Sequence, residues 1–150
     1  MSDKIILLVE DNEDDEELAV LAFARSRIAN AMVVVRDGQE ALDYFFGTEA
    51  NGGKDAKMMP QLVLLDLKLP KVGGLEVLKR LRADPRTRRL PVVILTSSKK
   101  EEDMLSSYDF GANSYVRKPV EFERFAEAIQ QLQMYWLVLN EAPTSGGDRP

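Results

Sequence analysis

The sequence holds 150 residues, a length that suits one domain with a full core. It contains no cysteine and no histidine, which excludes disulfides, thiolate nucleophiles, imidazole bases and zinc sites built on those ligands. Its net charge of −5, with no basic stripe, argues against a nucleic-acid partner, because such binding is driven by neutralising phosphates. The remaining chemistry must come from carboxylates, hydroxyls, lysines, the backbone and a bound hard cation. No apolar run approaches the roughly 20 residues needed to span a bilayer. The start, MSDK, has neither the basic nor the long apolar region of a signal peptide, so a cytoplasmic protein with no membrane partner is expected.

In chain order, KIILLV (4–9) is a short continuous apolar run, the pattern of a strand buried on both faces. An acidic segment follows, then a helical stretch with Leu18, Leu21, Ala22 and Arg25 at three-to-four spacing. AMVVV (31–35) reads as a second strand from its β-branched residues. Asp37 with Glu40 three residues on forms a capping box, opening a helix that turns Ala41, Leu42 and Phe45 inward. The stretch 47–60 is polar and Gly-rich without periodicity, a loop of above-average length.

QLVLLD (61–66) is a third buried strand, LPKVGG a turn, and the next helix carries Leu75, Leu78 and Leu81 on one face until Asp84-Pro85 ends it. PVVILT (91–96) is the fourth strand; Met104, Leu105 and Tyr108 mark the fourth helix, stopped by Gly111. NSYVRK (113–118) is a short fifth strand, and 121–139 a long last helix. The domain is expected to span 1–142, with 143–150 a disordered polar tail. Five βα units in a row predict an α/β, doubly wound, five-stranded parallel sheet with helices on both faces. In such sheets ligands bind at the carboxyl ends of the strands.

The residues that end each apolar run are chemically selective. Strand one ends at Glu10 and Asp11, strand three at Asp66, strand four at Thr96 with Ser97 and Ser98 behind it, and strand five at Lys118 before Pro119. Three carboxylates brought together raise one another's pKa, and a divalent cation would resolve the conflict. Mg2+ takes oxygen ligands and is commonly held by one or two carboxylates plus a phosphate. With it in place Asp66 can act as a nucleophile toward phosphorus, Lys118 and Thr96 meeting the phosphoryl oxygens. Each residue alone has a plainer reading: Glu10 and Asp11 as acids at a helix entry, Thr96 as a cap, Lys118 as a surface lysine.

Together LLVEDN, RDGQEAL, LVLLDLKLPKVGG, PVVILTSS and ANSYVRKP resemble the receiver domain of two-component response regulators, in order and over about residues 4–139. The resemblance implies the flavodoxin-like strand order 2-1-3-4-5 and five helices. It implies Asp66 as phospho-acceptor, Glu10, Asp11, Asp66 and the Lys68 backbone carbonyl around Mg2+, and Thr96, Ser97 and Lys118 at the phosphoryl group. Tyr115 would be the ring that turns inward when Thr96 is drawn to the phosphate, and the bond before Pro119 would be cis. Glu10 replaces the family's more common Asp, and Gly73 stands where an Asp often precedes the glycine.

ANSYVRKP and MYWLVLNEAP are further similar to small response regulators that serve bacterial phytochromes, so a phytochrome-type sensor histidine kinase is the expected partner in a phosphorelay without a fused output domain. Two alternatives differ in kind. A haloacid-dehalogenase-like phosphatase needs a second Asp two residues after the nucleophile, where Lys68 stands; a flavodoxin-like cofactor binder needs a phosphate loop where EDNEDD would repel it. Six consecutive apolar residues, 134–139, close the last helix, and Tyr135, Trp136, Leu137 and Leu139 are expected to form a homodimer interface.

Overall fold

The structure, a computed structural model, describes residues 5–25, 31–47, 59–118 and 121–141. Five strands, β1 (Ile5–Val9), β2 (Ala31–Val35), β3 (Leu62–Leu65), β4 (Val92–Thr96) and β5 (Ser114–Arg117), alternate with helices α1 (Glu13–Arg25), α2 (Gly38–Phe46), α3 (Gly74–Ala83), α4 (Glu101–Asp109) and α5 (Phe122–Gln133). All strand pairs are parallel and the order is β2-β1-β3-β4-β5, as the resemblance implied. The central strands are apolar throughout because helices cover both faces. Leu7, Val9, Val63, Leu65, Val92 and Ile94 face α2 and α3, while Ile6, Leu8, Leu62, Leu64, Val93 and Leu95 face α1 and α5.

Local signals set several boundaries. The Glu40 N–H donates to Asp37 Oδ1 at 2.7 Å, and Glu40 Oε1 accepts from the Arg36 N–H at 2.9 Å, so the capping box of α2 is present with its return bond one residue earlier than usual. α3 ends at Ala83, ahead of Asp84-Pro85. Gly111 ends α4 at φ +104°, a conformation costly for any residue with a Cβ. The loop expected over 47–60 falls largely outside the described residues, as do the tail 143–150 and Pro119 with the bond before it.

Three helix faces differ from expectation. In α1 the buried residues are Ala19 and Ala22, with Leu18 and Phe23 half-buried and Leu21 half exposed. α1 packs against α5, and small residues there let the two helices approach closely. In α4, Leu105 and Tyr108 lie on the outside, and the buried side chain is Ser107. Beyond α5, Met134–Leu139 widen into a π-helical turn in which the Asn140 N–H reaches the Tyr135 carbonyl five residues back, at 2.6 Å. That change of pitch turns Leu137 into the chain's own core at 1% exposure, which removes it from the expected dimer interface. Trp136 is half-buried against the same cluster, whereas Tyr135 and Leu139 stay outside at 50% and 64%.

Candidate functional site

Glu10, Asp66 and Lys118 each sit one step past a strand, held by the last bond of a ladder, and Thr96 is the last residue of β4. The Glu10 N–H donates to the Val35 carbonyl at 3.0 Å, the Asp66 N–H to Val9 at 3.1 Å, and the Lys118 N–H to Thr96 at 2.8 Å. Sheet register thus carries residues from three strands to one carboxyl edge, and the apolar strands behind them supply the low-dielectric floor.

The centre of the cluster is the Lys118 ammonium, whose side chain is 9% exposed. It donates to Glu10 Oε1 at 2.6 Å, to Asp15 Oδ2 at 2.7 Å and to Asp66 Oδ2 at 3.2 Å. Its three N–H donors have three carboxylate partners. Carboxylates at the strand ends are therefore paired by this ammonium, a role the sequence reading gave to a cation alone. One positive charge cannot balance three negative ones. Burial, the largest influence on Glu10, pushes its carboxyl up to about 7 against the Lys118 hydrogen bond that pulls it down. Burial likewise works to lower the Lys118 ammonium, but the hydrogen bonds with Asp15 and Glu10 and the charge of Asp66 outweigh it and raise it above the ordinary lysine value.

Asp15 is a residue the sequence reading missed. It lies in the first turn of α1, where acids are ordinarily accounted for by the helix dipole. The available signal was Asn12: its Oδ1 accepts the Asp15 N–H at 2.9 Å and its carbonyl accepts the Glu16 N–H, so it caps the helix and places Asp15 at the third helical position. Helical side chains lean toward the N-terminus, which aims this one back over the strand ends.

Around the opposite side, Thr96 is fully buried and its Oγ1 accepts the Ser98 N–H at 3.3 Å. Ser97 is exposed beside it. Ser98 is buried, donates to Asp103 Oδ2 at 2.6 Å and accepts the Lys100 N–H, tying the strand end to the first turn of α4. Tyr115 lies half-buried against the core, its hydroxyl 3.4 Å from the Ser98 carbonyl. The expected hydroxyl and aromatic residues are thus linked through one loop rather than by direct contact.

A hard cation fits the donor set. Carboxylate oxygens of Glu10, Asp11 and Asp66 lie within 4.8 Å of one another, with Asp11 exposed and the other two buried. The donors are all oxygen, as Mg2+ or Mn2+ prefers. Lys68 is exposed directly beyond, its N–H 3.3 Å from Asp66 Oδ1.

The response regulator receiver domain family matches residues 6–130. Response regulator Rcp1 of Synechocystis sp. (strain ATCC 27184 / PCC 6803 / Kazusa) is 35% identical over 134 residues, covering 89% of each chain. The crystal structure of its Mn2+-bound form matches with a TM-score of 0.83 at 34% identity, over 94% of this chain and 99% of that one. The phosphorylated cyanobacterial phytochrome response regulator RcpA matches at 0.85 and 38% identity, over 95% and 100%. The bacteriophytochrome response regulator AtBRR is 49% identical over 94% and 100%, with a TM-score of 0.72. None of this supports the phosphatase alternative, and the lysine at position 68 still lacks the carboxylate such an enzyme would use as general acid.

Proposed function

This chain belongs to the response regulator receiver domain family, and on that footing we propose that Asp66 accepts a phosphoryl group from a phytochrome-type sensor histidine kinase. The observation that carries the assignment of Asp66 is its carboxylate: buried at the end of β3, 3.2 Å from the buried Lys118 ammonium, and beside Glu10 and Asp11. An Asp66 oxygen forms the bond to phosphorus while the bond from phosphorus to the donor histidine nitrogen breaks. Lys118 meets developing charge on one phosphoryl oxygen, and Thr96 and Ser97 offer hydroxyls to another. Glu10, Asp11 and Asp66 would hold Mg2+, with the Lys68 carbonyl as the further ligand that the resemblance implies, and the bound ion would supply charge neutralisation.

The output is a change of shape. Drawing Thr96 toward the phosphate takes its hydroxyl from the Ser98 N–H and disturbs the loop that the Tyr115 hydroxyl touches. Asp66 serves as an acceptor with slow self-phosphorylation and hydrolysis, not as an enzyme turning over a diffusible ester. The protein acts in the cytoplasm and pairs as a homodimer through the exposed end of the last helix, Tyr135 and Leu139 with the edge of Trp136.

The test is labelling with a small acyl phosphate and Mg2+, the site located by mass spectrometry. A single label on Asp66, absent in Asp66→Asn, is expected. Equal labelling of Asp66→Asn overturns the assignment. Transfer from a phosphorylated phytochrome-type kinase, faster than from an unrelated histidine kinase, tests the partner.

A further inference from the structure

Lys118 has three carboxylate partners, and they are not equivalent. Glu10 and Asp66 belong to the oxygen cluster that suits a cation; Asp15 does not. Asp15 also differs in setting, with its side chain 33% exposed against 3% for Glu10 and 9% for Asp66. It is fixed on a different element, α1, through the Asn12 cap. When a cation takes up charge at Glu10 and Asp66, Asp15 becomes the one partner of the ammonium whose charge is not otherwise balanced. All three ammonium donors are occupied, so contact with a phosphoryl oxygen on Asp66 requires one of these bonds to be given up.

We propose that Asp15 is a positioning residue that holds the Lys118 ammonium toward α1 and competes with an incoming phosphoryl group for it. The inference rests on the reading of Asp66 as phospho-acceptor. It makes the first turn of α1 part of what sets how readily Asp66 is loaded. The same arrangement keeps Lys118 from folding fully onto Glu10 and Asp66, so the ammonium stays close to the site without blocking it.

The experiment compares Asp15→Asn with Asp14→Asn, which removes the same charge from an exposed neighbour in the same helical turn, and with Asp15→Glu, which keeps a carboxylate. Equilibrium binding of beryllium fluoride with Mg2+, as a mimic of the phosphoryl group, is read first. Asp15→Asn should bind it about three- to fivefold more tightly, the scale of one partly exposed charge pair. Asp14→Asn and Asp15→Glu should stay near the parent. A second readout needs no metal: proton exchange of the Lys118 ammonium with water, followed by side-chain nitrogen NMR, should quicken in Asp15→Asn alone. If Asp15→Asn matches Asp14→Asn in both readouts, or binds the mimic more weakly than the parent, the competing role is overturned while Asp66 stands as acceptor. If the parent takes neither label nor mimic at Asp66, both readings fall together.

Discussion

Gly74 is where the fold presses hardest on the site. It opens α3 and its N–H donates to the Leu67 carbonyl at 2.9 Å, so the helix starts directly against the backbone that follows β3. A Cβ on Gly74 would stand 2.7 Å from Leu67 Cα and 3.0 Å from the Asp66 carbonyl carbon, and closer still to the Asp66 carbonyl oxygen. Ordinary carbon contacts lie at about 3.5–4.0 Å, so Gly74→Ala must move helix or loop by about 1 Å. Both neighbours are backbone, with no flexible side chain to swing aside.

The expected cost is about 3 kcal/mol, the upper end of overpacking in a closed core. The displacement falls on Asp66, whose bond to Lys118 is already 3.2 Å. An error of about 1 Å in a reacting group can slow transfer about 100-fold. Gly73→Ala is the control: the nearest atom to its added Cβ is the Leu67 carbonyl oxygen at 3.9 Å, and its φ of −70° suits any residue. It should lie within about 0.5 kcal/mol of the parent. Urea unfolding gives the first quantity and the rate of Asp66 labelling the second. Parent-like stability and labelling in Gly74→Ala would refute the view that α3 sets the Asp66 backbone by direct contact.

Two further outcomes follow from burial. Leu137→Ala should cost about 2–4 kcal/mol by chemical denaturation, because it empties a core position, while Leu139→Ala should leave monomer stability within about 0.5 kcal/mol and weaken self-association in sedimentation; an equal loss of stability in both would contradict the π-helical rotation. Glu10 should titrate near 7 in metal-free protein. Its folded value lies above the ordinary glutamate value of 4.5, so the stabilisation from its protonated form is full below 4.5 and lost as pH rises through about 7. Relative to Glu10→Gln, the parent should therefore lose stability between pH 5 and 7, on the order of 1 kcal/mol; a gain would reverse the sign of the argument.

What the sequence determined by itself is the alternation of strands and helices, and with it the chemistry at the strand ends. Continuous apolar runs such as IILLV and VVILT demand helices on both faces, and the first polar residue after each run must then emerge at the carboxyl edge. Glu10, Asp66, Thr96 and Lys118 were legible for that reason, and so was the Asp37–Glu40 cap, which needs only residues three apart in sequence. Asp15 and the orientation of the last helix were not. Asp15 reads as one more acid in an acidic turn, and only the packing of α1 against α5 and the sheet brings it to an ammonium 103 residues away in sequence. Leu137 and Leu139 read alike as leucines, and only the change of helical pitch after Gln133 sends one inward and leaves the other outside. Side-chain periodicity is local and visible in one dimension; which charge meets which, and which face turns inward, depends on how rigid elements pack.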